Sequence, residues 1–420
     1  MKKNDIIKCL KANKQISDYQ LIINTKDSRE LFYVLDHLEI NRAVKTATTI
    51  INVYVSNEKF TGSSTVFVTS ADDQRSLDKK IRDAVRKARE VKNLYYPLPD
   101  RQEAVIEKKN AKADLNAIGN NVAKAVFAAN RFKEGWLNST EIFVSDIETQ
   151  FLDSKGTRHE AHSFQIGVEV IPTWSKDGEE IELYKYYESS APDYKAITRE
   201  IEELLENARE RANAKTPKEI GLPDDLKVLV KNDMLQLILD SISFDFNYRN
   251  IYFKENHYSL NDQLSETKLS LTLKPVIKGC ARSARFDEDG IVLKNTKVIK
   301  DGKISKLWGS NRFAYYLGRK ATGNLPLMEL DGPRSEYGKE KHLIIENFSS
   351  PQLEETSGYW GGEVRLARYF DGKKYIPLTG FSISGNIYED LKTVELSKED
   401  TVLANYKGPK YLIFKGIKIH

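Results

Sequence analysis

Sulfur is scarce in this sequence: its 420 residues hold two cysteines, Cys9 and Cys280, and three methionines. Two thiols cannot build a disulfide framework or a cysteine-rich zinc site. Long apolar runs are missing too, and no uncharged stretch approaches the ~18 residues of a membrane span. The opening MKKNDIIKCLKANK is basic but has no apolar stretch of about 7–15 residues behind it, so it does not read as a secretory signal. These absences predict a soluble protein of the cytoplasm, with no membrane partner. Charge of one sign is also lacking. The 65 basic and 61 acidic residues leave +4, spread along the chain. The pI of 8.6 is below the ~9 that accompanies a dense basic stripe, so a nucleic-acid partner is not expected. Phosphate-cradling and nucleophile motifs are absent as well: there is no GxxxxGK[ST], no GxGxxG between a strand and a helix, and no GxSxG.

What is present is core material. The chain has 21 Tyr and 17 Phe, which excludes a disordered chain. Its length suggests two or three domains at roughly 100–200 residues each. Residues 19–25, 30–35, 49–56 and 64–69 are rich in Val, Ile, Tyr, Phe and Thr between short polar clusters, as in antiparallel strands. Leu77, Ile81, Ala84, Val85, Ala88 and Val91 then recur at helical spacing, and Pro97 and Pro99 close that element. A second helix is predicted over 112–132 and a third over 194–213, with period-two text at 141–150 and 157–170 between them. TPKEIGLPDD (216–225), with two prolines and a glycine, marks a domain boundary. After it come the strand LKVLV (226–230), a helix over 231–242 and β-rich text to the end. The expected architecture is α+β in two domains: residues 1–215, mixed, with antiparallel strands and long helices, and 226–420, mainly antiparallel β.

Candidate chemistry is sparse. HEAH (159–162) places its histidines three apart in text that alternates like a strand. His159 and His162 then point to opposite faces, cannot grip one ion, and are expected to be surface histidines. His257, near Glu255 and Asp262, has the chemistry of a base or ligand, but as a lone histidine in a polar loop it is expected to be solvated. DEDG (287–290) begins like a calcium loop, yet IVLKNTKVIK supplies neither the alternate ligands nor the closing Glu. A turn with Gly290 at positive φ is expected instead. Cys280 has no neighbour that would activate it. The C-terminal half carries glycine-centred turns at Gly323–Asn324, Gly361–Gly362 and Gly385–Asn386. These are candidates for an edge or groove that adds an extended peptide through main-chain hydrogen bonds, with ordinary hairpins as the plainer alternative.

Those turns also carry a resemblance. FDEDGIVLKNTKVIKDGKISKLWGSNRFAYYLGRKATGN and GGEVRLARYFDGKKYIPLTGFSISGN, in that order, resemble stretches of the TldD/PmbA family. That family has been labelled as modulators of DNA gyrase and includes the TldD and TldE peptidase subunits. The likeness is good over roughly 225–420 and holds in outline before that, chiefly at SDIETQFLDSKGTRHEAH. TldD-type members carry a His-Glu-x-x-x-His helix after the strand that opens the C-terminal domain, and a later cysteine completes a zinc site. The matching helix here, KNDMLQLILDSI, has neither His nor Glu, and no cysteine follows Cys280. The resemblance therefore implies a TldE/PmbA-type, metal-free chain with no catalytic residue and no cofactor of its own. A TldD-type partner would hold the zinc, and the two would enclose a chamber that degrades unstructured peptides. Three alternatives stay open: a self-sufficient metallopeptidase with a site around His257, a gyrase-associated regulator, and a homo-oligomer.

Overall fold

The computed structural model describes residues 3–107 and 113–420. The chain is mixed α and β with antiparallel sheets, as expected. The first sheet is built from β1 (Asp18–Val34), β2 (His37–Ser56), β3 (Phe60–Thr69), β4 (Asn93–Leu94), β5 (Gly135–Asp153), β6 (Arg158–Lys176), β7 (Glu179–Glu182) and β8 (Lys185–Ser189). Its order is β4-β3-β2-β1-β5-β6-β7, with β8 also pairing β6.

β1 corrects the sequence reading. Segments 19–25 and 30–35 are one continuous strand, because the polar middle is hydrogen-bonded on both sides, to β2 and to β5. Its even-numbered polar residues find partners on the sheet face: Ser28 Oγ donates to Glu30 Oε1 at 3.1 Å, and Arg42 Nε approaches Glu30 Oε2 at 2.6 Å. β2 likewise starts twelve residues before the predicted 49.

Four helices cover one face of this sheet: α1 (Lys3–Ala12), α2 (Gln74–Glu90), α3 (Leu115–Phe127) and α4 (Tyr194–Ala212). Leu21, Ile51, Val53, Val66 and Val68 pack against α1 and α2; Leu31, Ile142, Val144, Ile166 and Val168 pack against α3 and α4. Side-chain caps start three of the helices: Asp73 accepts from Ser76 N, Asp114 from Asn116 N and Ala117 N, and Asp193 from Ala196 N. α2 ends before the prolines. Val91, predicted on its buried face, takes extended geometry and is exposed. Residue 112, the predicted start of the second helix, lies outside the described residues.

A short helix, α5 (Pro217–Ile220), occupies the proline-rich stretch. Its capping box joins Thr216 and Glu219, it buries no residue, and Gly221 closes it at φ 62°. Next come β9 (Lys227–Val230) and α6 (Asn232–Asp245). β9 lies inside a ten-stranded sheet, parallel to His342–Phe348 and antiparallel to Leu412–Phe414. A second, six-stranded sheet runs from Lys303–Ile304 through Ser270–Lys274 to Asp400–Val402. α6 shares one large core with both sheets. Leu235, Ile238, Leu239 and Ile242 form the predicted stripe and are all buried there, each contributing about 1.5–3 kcal/mol relative to exposure. No helix among the described residues is long and apolar enough to cross a membrane.

Candidate functional site

α6 leaves the central strand β9 and points its first turn into a cleft of about 400 Å³ between the two halves of the chain. Residues from β8, α4, α6, the loop at 282 and the strand Asp400–Val402 with the residues after it line it. Lys231, Glu203, Asp233, Gln236 and Arg282 give it a mixed charge with many donors and acceptors. Asp233, Gln236 and Asp240 follow one another at spacings of three and four, opposite the buried stripe. Crowding by protein pushes the Asp240 carboxyl up to about 6, with Arg282 pulling the other way.

Beneath the cleft is a buried ion cluster that sequence reasoning missed. Lys231 Nζ lies 2.5 Å from Glu346 Oε2 and 3.1 Å from Glu203 Oε1. Arg368 reaches Glu346 Oε1 at 3.1 Å, Glu210 Oε2 at 2.6 Å and Asn207 Oδ1 at 2.9 Å. The Glu346 side chain is fully buried and that of Lys231 is 4% exposed. Burial alone would lower the Lys231 ammonium, but Glu346 and Glu203 outweigh it and hold its pKa above the usual lysine value. Glu203, Asn207 and Glu210 belong to α4, so the cluster fastens the N-terminal layer to the end of β9 and to the next two strands of its sheet, His342–Phe348 and Tyr359–Phe370. Its members lie far apart in sequence, and only the isolated Lys231 beside an apolar strand hints at it.

The other junction between the halves uses DEDG. As expected, Gly290 has positive φ, at 77°. A Cβ there would lie 2.3 Å from the Phe151 ring. The Asp287 carboxylate accepts from Ile291 N at 2.9 Å, Asp289 N at 3.1 Å and Asn324 N at 3.0 Å. Burial, then the nearby Asp289, pushes Asp287 up to about 7; burial and Glu288 push Asp289 up to about 6.

The histidine expectations need correction. His159 is not on the surface: it is 1% exposed and stacks on Phe286 at 4.7 Å. Val105 N–H donates to its Nδ1 at 3.1 Å, so its Nε2 carries the proton and donates to Gly290 O at 2.8 Å. Burial lowers its pKa, which favours this neutral form. His162 is mostly buried and paired with Asp146. Both were read as surface groups because alternation gives a strand's two faces but not what covers them. His257 is not simply solvated either. Its Nδ1 is 3.0 Å from Asp245 Oδ1, its Nε2 is 3.1 Å from Thr356 O, and its ring stacks on Tyr388 at 4.0 Å.

The glycine turns fall into two places. Gly361 and Gly362 lie in the strand Tyr359–Phe370, paired to Ser384 and Ile383 of Phe381–Asn386, the strand that also holds Gly385 and Asn386. A Cβ on Gly361 would stand 2.1 Å from Ile383 O, so the glycine permits close strand approach. Asn386 caps the following helical turn by accepting from Tyr388 N. Gly323 and Asn324 stand apart from these, against Asp287.

The donor set at α6 does not fit zinc. No histidine or cysteine lies on that helix. Cys280 is buried, with its thiol pushed up to about 11 by burial and its Sγ 3.7 Å from Tyr406 O. Among the described residues no group of three His, Cys, Asp or Glu side chains could hold a metal ion.

Residues 223–420 match the family model described as the PmbA/TldA metallopeptidase C-terminal domain. Over these residues the chain is similar to the C-terminal domain of that family. Three solved structures share its fold over almost their whole length. TldE from Thermococcus kodakarensis is 15% identical with a TM-score of 0.81, covering 99% of each chain. A candidate modulator of a DNA gyrase from Thermotoga maritima is 14% identical with a TM-score of 0.80, covering 100% of this chain and 99% of that one. Another, from Bacteroides thetaiotaomicron, is 15% identical with a TM-score of 0.79, covering 99% and 98%. No curated protein matches the sequence.

Proposed function

We propose that this chain is a TldE/PmbA-type subunit without a metal of its own, which pairs with a TldD-type chain to form a zinc protease for unstructured peptides. One observation carries the reading. In a family whose C-terminal domain is described as a metallopeptidase, α6 follows the opening strand and offers the cleft Asn232, Asp233 and Gln236 in place of imidazoles. The similarity in fold to TldE from T. kodakarensis agrees with it. In this reading zinc and the activated water belong to the partner, and no residue of this chain is catalytic. This chain contributes a wall of an enclosed chamber. The mixed charge of the cleft suits the main chain and termini of an extended peptide better than one particular side chain.

The test is co-expression with a TldD-type chain from the same genome, then metal analysis and hydrolysis of a fluorescent unstructured peptide by each species. The expected result is zinc and activity in the mixed complex and in neither measure for this chain alone. Full activity from this chain by itself would reject the reading.

A further inference from the structure

The near balance of charge over the whole chain conceals one local excess. Residues 291–320 hold eight basic residues and one acidic residue, Asp301, whereas all 420 residues together reach only +4. Lys294, Lys297, Lys300, Lys303 and Lys306 recur at every third position, and Arg319 and Lys320 follow. All are exposed, and none forms an ion pair with a described residue. Part of this excess has a plain explanation. Lys297, Lys300 and Lys303 lie on the hairpin of Thr296–Lys300 with Lys303–Ile304, at the end of the six-stranded sheet, where lysines discourage strand addition. Lys294, Lys306 and Lys320 stand outside the strands and have no edge to protect. They line one cavity of about 540 Å³ together with Asn295, Asn311 and Thr322; Asp100 and Glu103 are its acidic groups.

Asn311 also opens a short helix, α8 (Asn311–Tyr316), which joins this cavity to a cluster of rings from α7 (Tyr248–Phe253) and from residues 95–96. Ring centroids lie 5.1 Å apart for Tyr252 and Tyr316, 6.0 Å for Tyr96 and Tyr316, and 6.1 Å for Tyr95 and Tyr315. The Arg312 guanidinium sits 5.1–5.7 Å from the Phe313, Tyr316 and Tyr96 rings and donates to Asn93 Oδ1 at 2.8 Å, which fixes the cluster. At its rim Tyr95, Phe253 and Tyr315 are 39–47% exposed. Arg249 and Lys254 add exposed cations beside Phe253, and the one carboxylate there, Glu255, is 3.2 Å from Arg249. Edge protection needs no exposed rings, and a ring cluster needs no unpaired lysines. Together they suit a polyanion that carries flat apolar faces.

We propose that the Lys294–Lys306–Lys320 cavity and the adjoining rim of Tyr95, Phe253 and Tyr315 bind single-stranded nucleic acid, the lysines taking backbone phosphates and the rings stacking on bases. A duplex hides its base faces and an acidic peptide has none, so charge and rings together favour the single strand. This site is independent of how α6 is read.

The test is fluorescence anisotropy of the full chain with a labelled oligothymidylate of about 20 nucleotides, the same sequence as a duplex, and labelled polyglutamate, between about 50 and 200 mM NaCl. The single strand is expected to bind most tightly, with affinity falling as salt rises. K294E/K306E/K320E should weaken it tenfold or more and flatten the log–log salt slope by about 2, at roughly 0.7 for each lost phosphate contact. Tyr315→Ala should weaken binding about tenfold with the slope unchanged, and Tyr315→Phe should keep the wild-type affinity because the ring remains. K8E/K11E/K14E makes the same charge change at exposed positions on and just after α1 and should bind nearly as the wild type does. Circular dichroism should match in all variants, since these side chains are exposed. No binding at the lowest salt would overturn the proposal. So would duplex or polyglutamate bound as tightly as the single strand, indifference to Y315A, or an equal loss in K8E/K11E/K14E.

Discussion

Removing the Lys231 ammonium should be among the most destabilising single changes in this protein. In Lys231→Ala the Glu346 carboxylate, whose side chain is fully buried, keeps Arg368 at 3.1 Å but loses the cation at 2.5 Å. Breaking a buried pair from one side costs about 3–5 kcal/mol. The remaining Arg368 contact places the expected loss near the lower end, about 3 kcal/mol. A second variant separates the charge effect from the cavity. Lys231→Met with Glu346→Leu removes both ions and fills similar volume, while Arg368 keeps Glu210 and Asn207. Such replacements range from neutral to stabilising by about 1–4 kcal/mol. Urea unfolding followed by tryptophan fluorescence would measure both. Because α4 supplies Glu203 and Glu210, K231A should also separate the unfolding of the first sheet from that of the C-terminal sheets, seen as two transitions by calorimetry. The double variant should keep them together. Equal losses in both variants, or a K231A loss under about 1 kcal/mol, would refute the claim that an uncompensated buried charge sets the cost.

Two further outcomes follow from the DEDG junction. Gly290→Ala forces an L side chain to φ 77° and sets a methyl 2.3 Å from the Phe151 ring, so it should cost about 2–4 kcal/mol in the same urea assay; a neutral result would mean the junction can open freely. The second concerns pH. Asp287 and Asp289 have folded values raised to about 7 and about 6, from 3.8, so their contribution is fully present below 3.8 and is lost as pH rises through 6 and 7. His159, with a lowered value, works in the opposite sense, its contribution being present above 6.5 and lost as pH falls below that. Unfolding free energy measured between pH 5 and pH 8 should therefore fall by about 1–3 kcal/mol more in the wild type than in Asp287→Asn, and parallel pH profiles would refute the assignment.

Much of the fold was legible because it is written in periodicity. The stripe Leu77 to Ala88 and the stripe Leu235 to Ile242 are buried as spacing requires. Strand lengths were underestimated where polar residues such as Lys26, Asp27 and Ser28 interrupt the apolar pattern. Ladder hydrogen bonds on both sides of β1 hold those residues in the strand, and no local rule reveals two neighbours from later in the chain. Of the glycines read as turns, Gly323 lies in a loop, whereas Gly361, Gly362 and Gly385 lie within paired strands. That Gly361 serves close strand approach, and that Asn324 N–H grips Asp287, depended on which segments lie against them.

The sequence by itself determined which side chains α6 can offer to the cleft, since a helix without histidine or cysteine has no imidazole or thiolate to present in any fold. It also determined which face of each amphipathic element is apolar, because the repeat of 3.6 or 2 residues is a local property. Only the tertiary structure decided the fate of the polar groups. His159 became an interior hydrogen-bonding residue, and Lys231 became the centre of a charge cluster whose carboxylates come from a helix before it and a strand long after it. The reason is physical: burying an ion or an imidazole is tolerable only when partners meet it in space, and chain separation does not specify where those partners will be.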